Sequence, residues 1–183
     1  MTPAITSNFL ARRRGFIKGS LLGTLGGWSL VSSLACSQKE EQATLALPHF
    51  SLATPSGLVQ TKEHYANQAL LMNFWATWCE PCRREMSDLE SLHRHWAPKG
   101  LKVVAVSVDS DTHLVREFLL RQPVSFTVLL DPQQSLSKGG LSISSFPTTL
   151  LVNPAGQIRD RIVGARAWMD APVQRIIAER LTL

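Results

Sequence analysis

From residue 48 onward the chain alternates between short apolar runs that suit strands and apolar positions spaced three or four apart that suit helices. Ala69–Ala76 is an apolar run interrupted only by Asn73, and the valine-rich Leu101–Val108 repeats the pattern, as central strands covered on both faces do. Between them Met86, Leu89, Leu92 and Trp96 predict a helix over Cys79–Trp96, which Pro98 and Gly100 end. Thr112–Arg121 predicts a second helix with Asp111 as its cap. Thr127–Leu130 reads as a strand and Gln133–Lys138 as a short helix or turn. Phe50–Leu52 and Leu58–Val59 are strand-like pieces around a turn at Pro55-Ser56-Gly57. Thr148–Val152 and Ile158–Val163 predict a hairpin around Asn153-Pro154-Ala155-Gly156, where Pro second and Gly fourth favour a tight turn. Ala167–Leu181 predicts a closing helix despite Pro172. This order predicts an α/β domain over residues 48–183, a mixed central sheet with helices on both faces.

The first 35 residues follow another rule. Arg12-Arg13-Arg14-Gly15-Phe16-Ile17-Lys18 precedes the uncharged stretch Gly19–Ala35, the order of an export signal. Arg13-Arg14 with Phe16-Ile17-Lys18 resembles the twin-arginine motif, and the glycines and serines of the following stretch keep it weakly hydrophobic, as that route prefers. Ser33-Leu34-Ala35-Cys36 resembles a bacterial lipobox in which Cys36 would carry the lipid; Ser33-x-Ala35 also suits ordinary cleavage. Residues 36–47 read as a polar tether.

The net charge of +5 belongs to that leader. Residues 1–35 hold four basic side chains and no acidic one, so the 19 Lys and Arg leave 15 for the remainder against 14 acidic residues. A body this close to neutral lacks the basic face that nucleic acid requires.

Of three cysteines, Cys79 and Cys82 form a C-x-x-C and Cys36 is left over; lipidation would consume it. Cys79-Glu80-Pro81-Cys82 stands where a buried strand meets a helix start. Unpaired N–H groups and the helix dipole favour a thiolate there, and the thiolate is the attacking species in disulfide exchange. Cys82, three residues on, returns to the same helical face, and Pro81 fits a first turn where its missing N–H costs nothing. Cys79 is therefore the candidate nucleophile and Cys82 the resolving thiol. Zinc is disfavoured, since no third body cysteine exists and His93 and His95 point apart on a helix; no metal site is expected. A disulfide closing so short a loop would stabilise little, which argues against a purely structural role. Copper(I) capture by the two thiolates remains open.

Phe74-Trp75-Ala76-Thr77-Trp78-Cys79-Glu80-Pro81-Cys82-Arg83-Arg84-Glu85-Met86 resembles the signature of TlpA/ResA-like thiol–disulfide oxidoreductases of the thioredoxin superfamily. The likeness continues through Val106-Ser107-Val108-Asp109, Leu129-Leu130-Asp131-Pro132 and Phe146-Pro147-Thr148-Thr149-Leu150-Leu151-Val152. It implies a thioredoxin fold, with Pro147 as a cis-proline that presents the Phe146 backbone to a partner, and Glu85 as an acid that tunes the thiols. Asn73 stands where thioredoxin has a buried aspartate. Trp75 reads as core; Trp78, Glu80, Pro81 and Phe146 read as the partner groove. The resemblance further implies a periplasmic, membrane-attached reductant of protein disulfides, recharged by a membrane thiol transporter and needing no cofactor beyond the Cys79–Cys82 pair. Apocytochrome c or a protein of copper-centre assembly would be its partner. An oxidant that introduces disulfides and a copper(I) delivery module are the competing readings.

Overall fold

The structure is a computed structural model and describes residues 45–183. The expectations for the leader, for Cys36 and for the tether as far as residue 44 lie outside the described residues.

Among the described residues seven strands form one mixed sheet: β1 (Ser51–Ala53), β2 (Val59–Thr61), β3 (Ala69–Trp75), β4 (Leu101–Ser107), β5 (Thr127–Leu130), β6 (Thr148–Val152) and β7 (Ile158–Val163). Their spatial order is β2-β1-β5-β4-β3-β6-β7. β3 lies at the heart of the sheet, parallel to β4 and antiparallel to β6, and all seven of its residues are buried. Its apolar character follows, because both faces meet packed side chains and both edges are paired. The α-helices of the described residues, α1 (Glu80–Trp96), α2 (Thr112–Arg121) and α3 (Ala171–Leu181), share one face. There Met86, Leu89 and Leu92 of α1, Val115 of α2 and Ile177 and Leu181 of α3 join Leu71 and Trp75 in one core. The opposite face is covered by two short helical turns, Lys62–Tyr65 and Ser135–Gly140, through Tyr65 and Leu136 against Leu70, Met72 and Phe74.

Two boundaries differ from the sequence pattern. The polar tether does not run to residue 47: Leu47 is buried, its N–H donates to the Gly156 carbonyl at 2.9 Å, and Ala46 bridges to Gln157. Burying one leucine and extending the sheet edge outweighs the polar company it keeps in sequence. This junction sits beside the start of β7, at the Val152 end of β6. The closing helix begins at Ala171 rather than Ala167, with Asp170 preceding it and Pro172 in the first turn. Residues 167–170 are thereby released from the helix, and Trp168 turns inward to complete burial.

Candidate active site

The paired strands fix where β3 ends, and two contacts fix the loop that follows. Val108 N–H donates to the Trp75 carbonyl at 2.9 Å and Cys79 N–H to the Ala76 carbonyl at 3.1 Å. Asp109, buried just beyond β4, holds Thr77 from both sides: its carboxylate accepts the Thr77 N–H at 3.0 Å and the Thr77 hydroxyl at 2.6 Å. The Ser107 hydroxyl donates to the same carboxylate at 2.7 Å. Asp109→Ala would strand the buried Ser107 hydroxyl and the half-buried Thr77 donors, and we expect a loss on the order of 3 kcal/mol in chemical denaturation.

Cys79 is the N-cap of α1, in extended backbone conformation, and Cys82 N–H points at its sulfur at 3.4 Å. Such donors stabilise a thiolate at Cys79 once the pair is reduced. In the structure Cys79 and Cys82 are joined as a disulfide. Cys79 keeps 6% of its surface exposed and Cys82 1%, so a partner sulfur meets Cys79 first. Pro81 occupies the first turn. Glu80 is solvent-exposed and engaged by Arg83 and Arg84, a surface cluster that contributes little stability.

The Phe146–Pro147 bond is cis. The β3–β6 register pairs Thr148 with Phe74, which sets Pro147 level with Trp75 and hence beside the dithiol loop. Trp78 is 64% exposed and meets the half-buried Phe146 edge-on, ring centres 5.9 Å apart. Trp75 is wholly buried and packs against Phe118.

Glu85 lies one turn beyond Cys82 on the inward stripe of α1 and is only 3% exposed. Burial is the main cause that pushes its carboxyl up from 4.5 to about 7. Three donors oppose that rise: the Arg166 N–H at 3.1 Å, the Trp168 indole N–H, and the Asn73 amide at 3.4 Å. The Asp88 charge adds slightly to it. Asn73 also donates to the Thr149 hydroxyl at 2.9 Å, tying the carboxyl to β6. The result is a buried acid poised between protonation states near neutral pH, close to the buried sulfur.

Trp168, the Arg166 backbone and the Asp109 clamp were not singled out by the sequence. Asp170-Ala171-Pro172 does carry a signal, since an N-cap residue followed by proline marks a helix start and would have placed Trp168 outside the helix.

A disulfide at a strand-to-helix junction, a cis-proline level with it and a central mixed sheet define a thioredoxin-type exchange site. The family model described as Redoxin matches residues 42–176, and the chain belongs to that family. It is a thiol–disulfide oxidoreductase of the ResA type. The thioredoxin-like protein YneN of Bacillus subtilis is 35% identical over 75% of this chain and 81% of its own. The thiol-disulfide oxidoreductase ResA of the same organism is 28% identical over 84% and 87% respectively. Among solved structures, a thiol:disulfide interchange protein of the thioredoxin family from Chlorobium tepidum superposes with a TM-score of 0.65, at 26% identity, over 75% of this chain and 96% of its own.

Proposed function

We propose that the protein is an exported reductant of disulfides in other extracytoplasmic proteins, held at the periplasmic side of a bacterial membrane by lipid on Cys36. In this reading the Cys79 thiolate attacks one sulfur of a partner disulfide, forming a mixed disulfide and releasing the partner's other sulfur as a thiolate. Cys82, deprotonated with Glu85 as the nearby proton acceptor, then attacks the Cys79 sulfur. The Cys79–Cys82 bond forms, the partner leaves as a dithiol, and two electrons have passed to it. A membrane thiol transporter restores the dithiol by the reverse exchange, and no further cofactor takes part. Apocytochrome c and copper-centre assembly proteins carry cysteine pairs of the right kind to be partners. The leader at residues 1–35, with its basic cluster and uncharged stretch, supports export.

The observation that carries the direction is the placement of carboxylates. A disulfide becomes strongly oxidising when its reduced form is stabilised as a thiolate. Here Glu85 lies one turn beyond Cys82 on the buried stripe of α1 and Asp109 clamps the residue two before Cys79, while Arg83 and Arg84 are both engaged by Glu80. Where Glu85 is ionised, its charge opposes the stabilisation that the α1 cap gives the thiolate and so raises the free energy of the reduced form. Equilibrating the protein with thioredoxin of known potential tests this. We expect a value nearer about −270 mV, as in thioredoxin, than about −120 mV, as in a strong oxidant. A value at the oxidising end would reverse the direction, and tight one-to-one copper(I) binding without exchange would favour delivery of copper instead.

A further inference from the structure

Beside the dithiol the surface is built unevenly. One rim is aromatic, formed by Trp78 and Phe146. The other is formed where β7 ends: Gly164 N–H donates to the Pro147 carbonyl at 2.8 Å, and an added Cβ at Gly164 would lie 3.9 Å from the Arg166 guanidinium. That guanidinium is exposed and donates only to backbone carbonyls, those of Ala165 at 3.1 Å and Val163 at 3.3 Å. From it a cleft of about 310 Å³ runs along β7, the edge strand, toward α3, with Ile162, Val163, Val173 and Ile176 giving it an apolar lining.

The charges of this cleft are already assigned, with one exception. Asp160 faces Arg180 at 3.7 Å, and Arg161 is turned to the Leu141 carbonyl at 2.7 Å. Glu85 is bonded by the backbone N–H of Arg166 and not by its side chain. On the far side of the motif, Glu80 is taken by Arg83 and Arg84. Among the described residues no carboxylate pairs with the Arg166 guanidinium. A planar, permanently charged donor fork next to the cis-proline is built to receive a carboxylate.

We propose that Arg166 is a specificity-determining residue, selecting partner segments that carry an acidic side chain close to the disulfide under attack and an apolar one further along, in the cleft. This rests on the exchange function proposed above. Electrostatic complementarity of this kind acts chiefly on encounter and on choice between partners, and salt weakens it.

The test uses the reduced full chain and two synthetic peptides, each closed by one internal disulfide and differing only in Asp or Lys beside the attacked cysteine. The second-order rate of exchange should be roughly threefold higher for the Asp peptide at low ionic strength, as expected for one exposed ion pair. The preference should fade in about 1 M salt, where charges more than about 3 Å apart are screened. Arg166→Glu, which keeps the backbone N–H on Glu85, should reverse the preference, and Arg166→Gln should abolish it. Equal rates for the two peptides in the unaltered protein, or a preference that Arg166→Glu leaves in place, would overturn the assignment while exchange itself stood. Failure to react with either peptide would bring down the exchange reading and this inference with it.

Discussion

Reduced protein carrying Cys79→Ala will pass no electrons to a protein disulfide beyond the background of the solution, whereas Cys82→Ala will react once and stop as a mixed disulfide. The asymmetry comes from position. Cys79 caps α1, where the Cys82 N–H at 3.4 Å and the free end of the helix favour its ionised form, and it is the more exposed residue of the pair. Cys82, one turn inside and 1% exposed, is enclosed by the core and bonded to the sulfur of Cys79. In the Cys82→Ala protein the first bond forms normally and nothing displaces it, so covalent adducts at residue 79 accumulate and identify the partners by mass. In the Cys79→Ala protein the remaining sulfur is enclosed and lies off the cap. The measurement is a single-turnover exchange followed by non-reducing electrophoresis and peptide mapping. Adducts found equally at both positions would contradict the assigned order of attack. An unaltered rate in Cys79→Ala would remove that residue from the chemistry.

The second large effect concerns pH. Glu85 is expected to titrate at about 7 in the oxidised folded protein against 4.5 when unfolded. Its folded value is raised, so between those limits the native state binds more protons than the unfolded state, and stability falls as pH rises. The full effect is present below about 4.5 and lost above about 7. A displacement of this size corresponds to about 3 kcal/mol, at 1.36 kcal/mol per pH unit. Denaturant unfolding of the oxidised protein from pH 5 to 8.5 should show that fall. Glu85→Gln keeps an acceptor for the Arg166 N–H and the Trp168 indole but cannot ionise, and should remove most of the slope. Trp168→Phe deletes one donor that favours the carboxylate and should move the transition to higher pH. A slope that Glu85→Gln leaves intact would assign the titration to another group.

Much of the architecture could be read from local pattern. Thr112–Arg121, Thr127–Leu130, Thr148–Val152 and Ile158–Val163 occupy the residues their periodicity predicts, because each has a cap or a turn at its ends that acts within a few residues. Asp111 caps α2 through the His113 N–H, as its position suggests. The junctions where local and tertiary preferences compete were harder to read. Leu47 follows a polar stretch, yet its N–H pairs with the Gly156 carbonyl far along the chain and its side chain is buried in the cluster that holds Tyr65, Leu70 and Val152. Glu85 follows two arginines, and only the sheet beneath decides that it faces inward with Cys82 and Leu89. Its partners Arg166 and Trp168 lie 81 and 83 residues further along the chain, a separation that no spacing rule spans. The chemistry of the motif was thus legible, while the pocket that sets its proton affinity required the fold.

One consequence of the junction at Leu45–Leu47 is practical. It lies against Gln157 and Ile158, at the Val152 end of the sheet, while the reactive sulfur follows Trp75 at the other end of β3. Seven strand residues separate those two poles, about 20 Å at 3.3 Å per residue. A bead, an electrode or a fluorescent fusion joined ahead of Leu45 therefore grips the molecule from behind and leaves its working end turned outward.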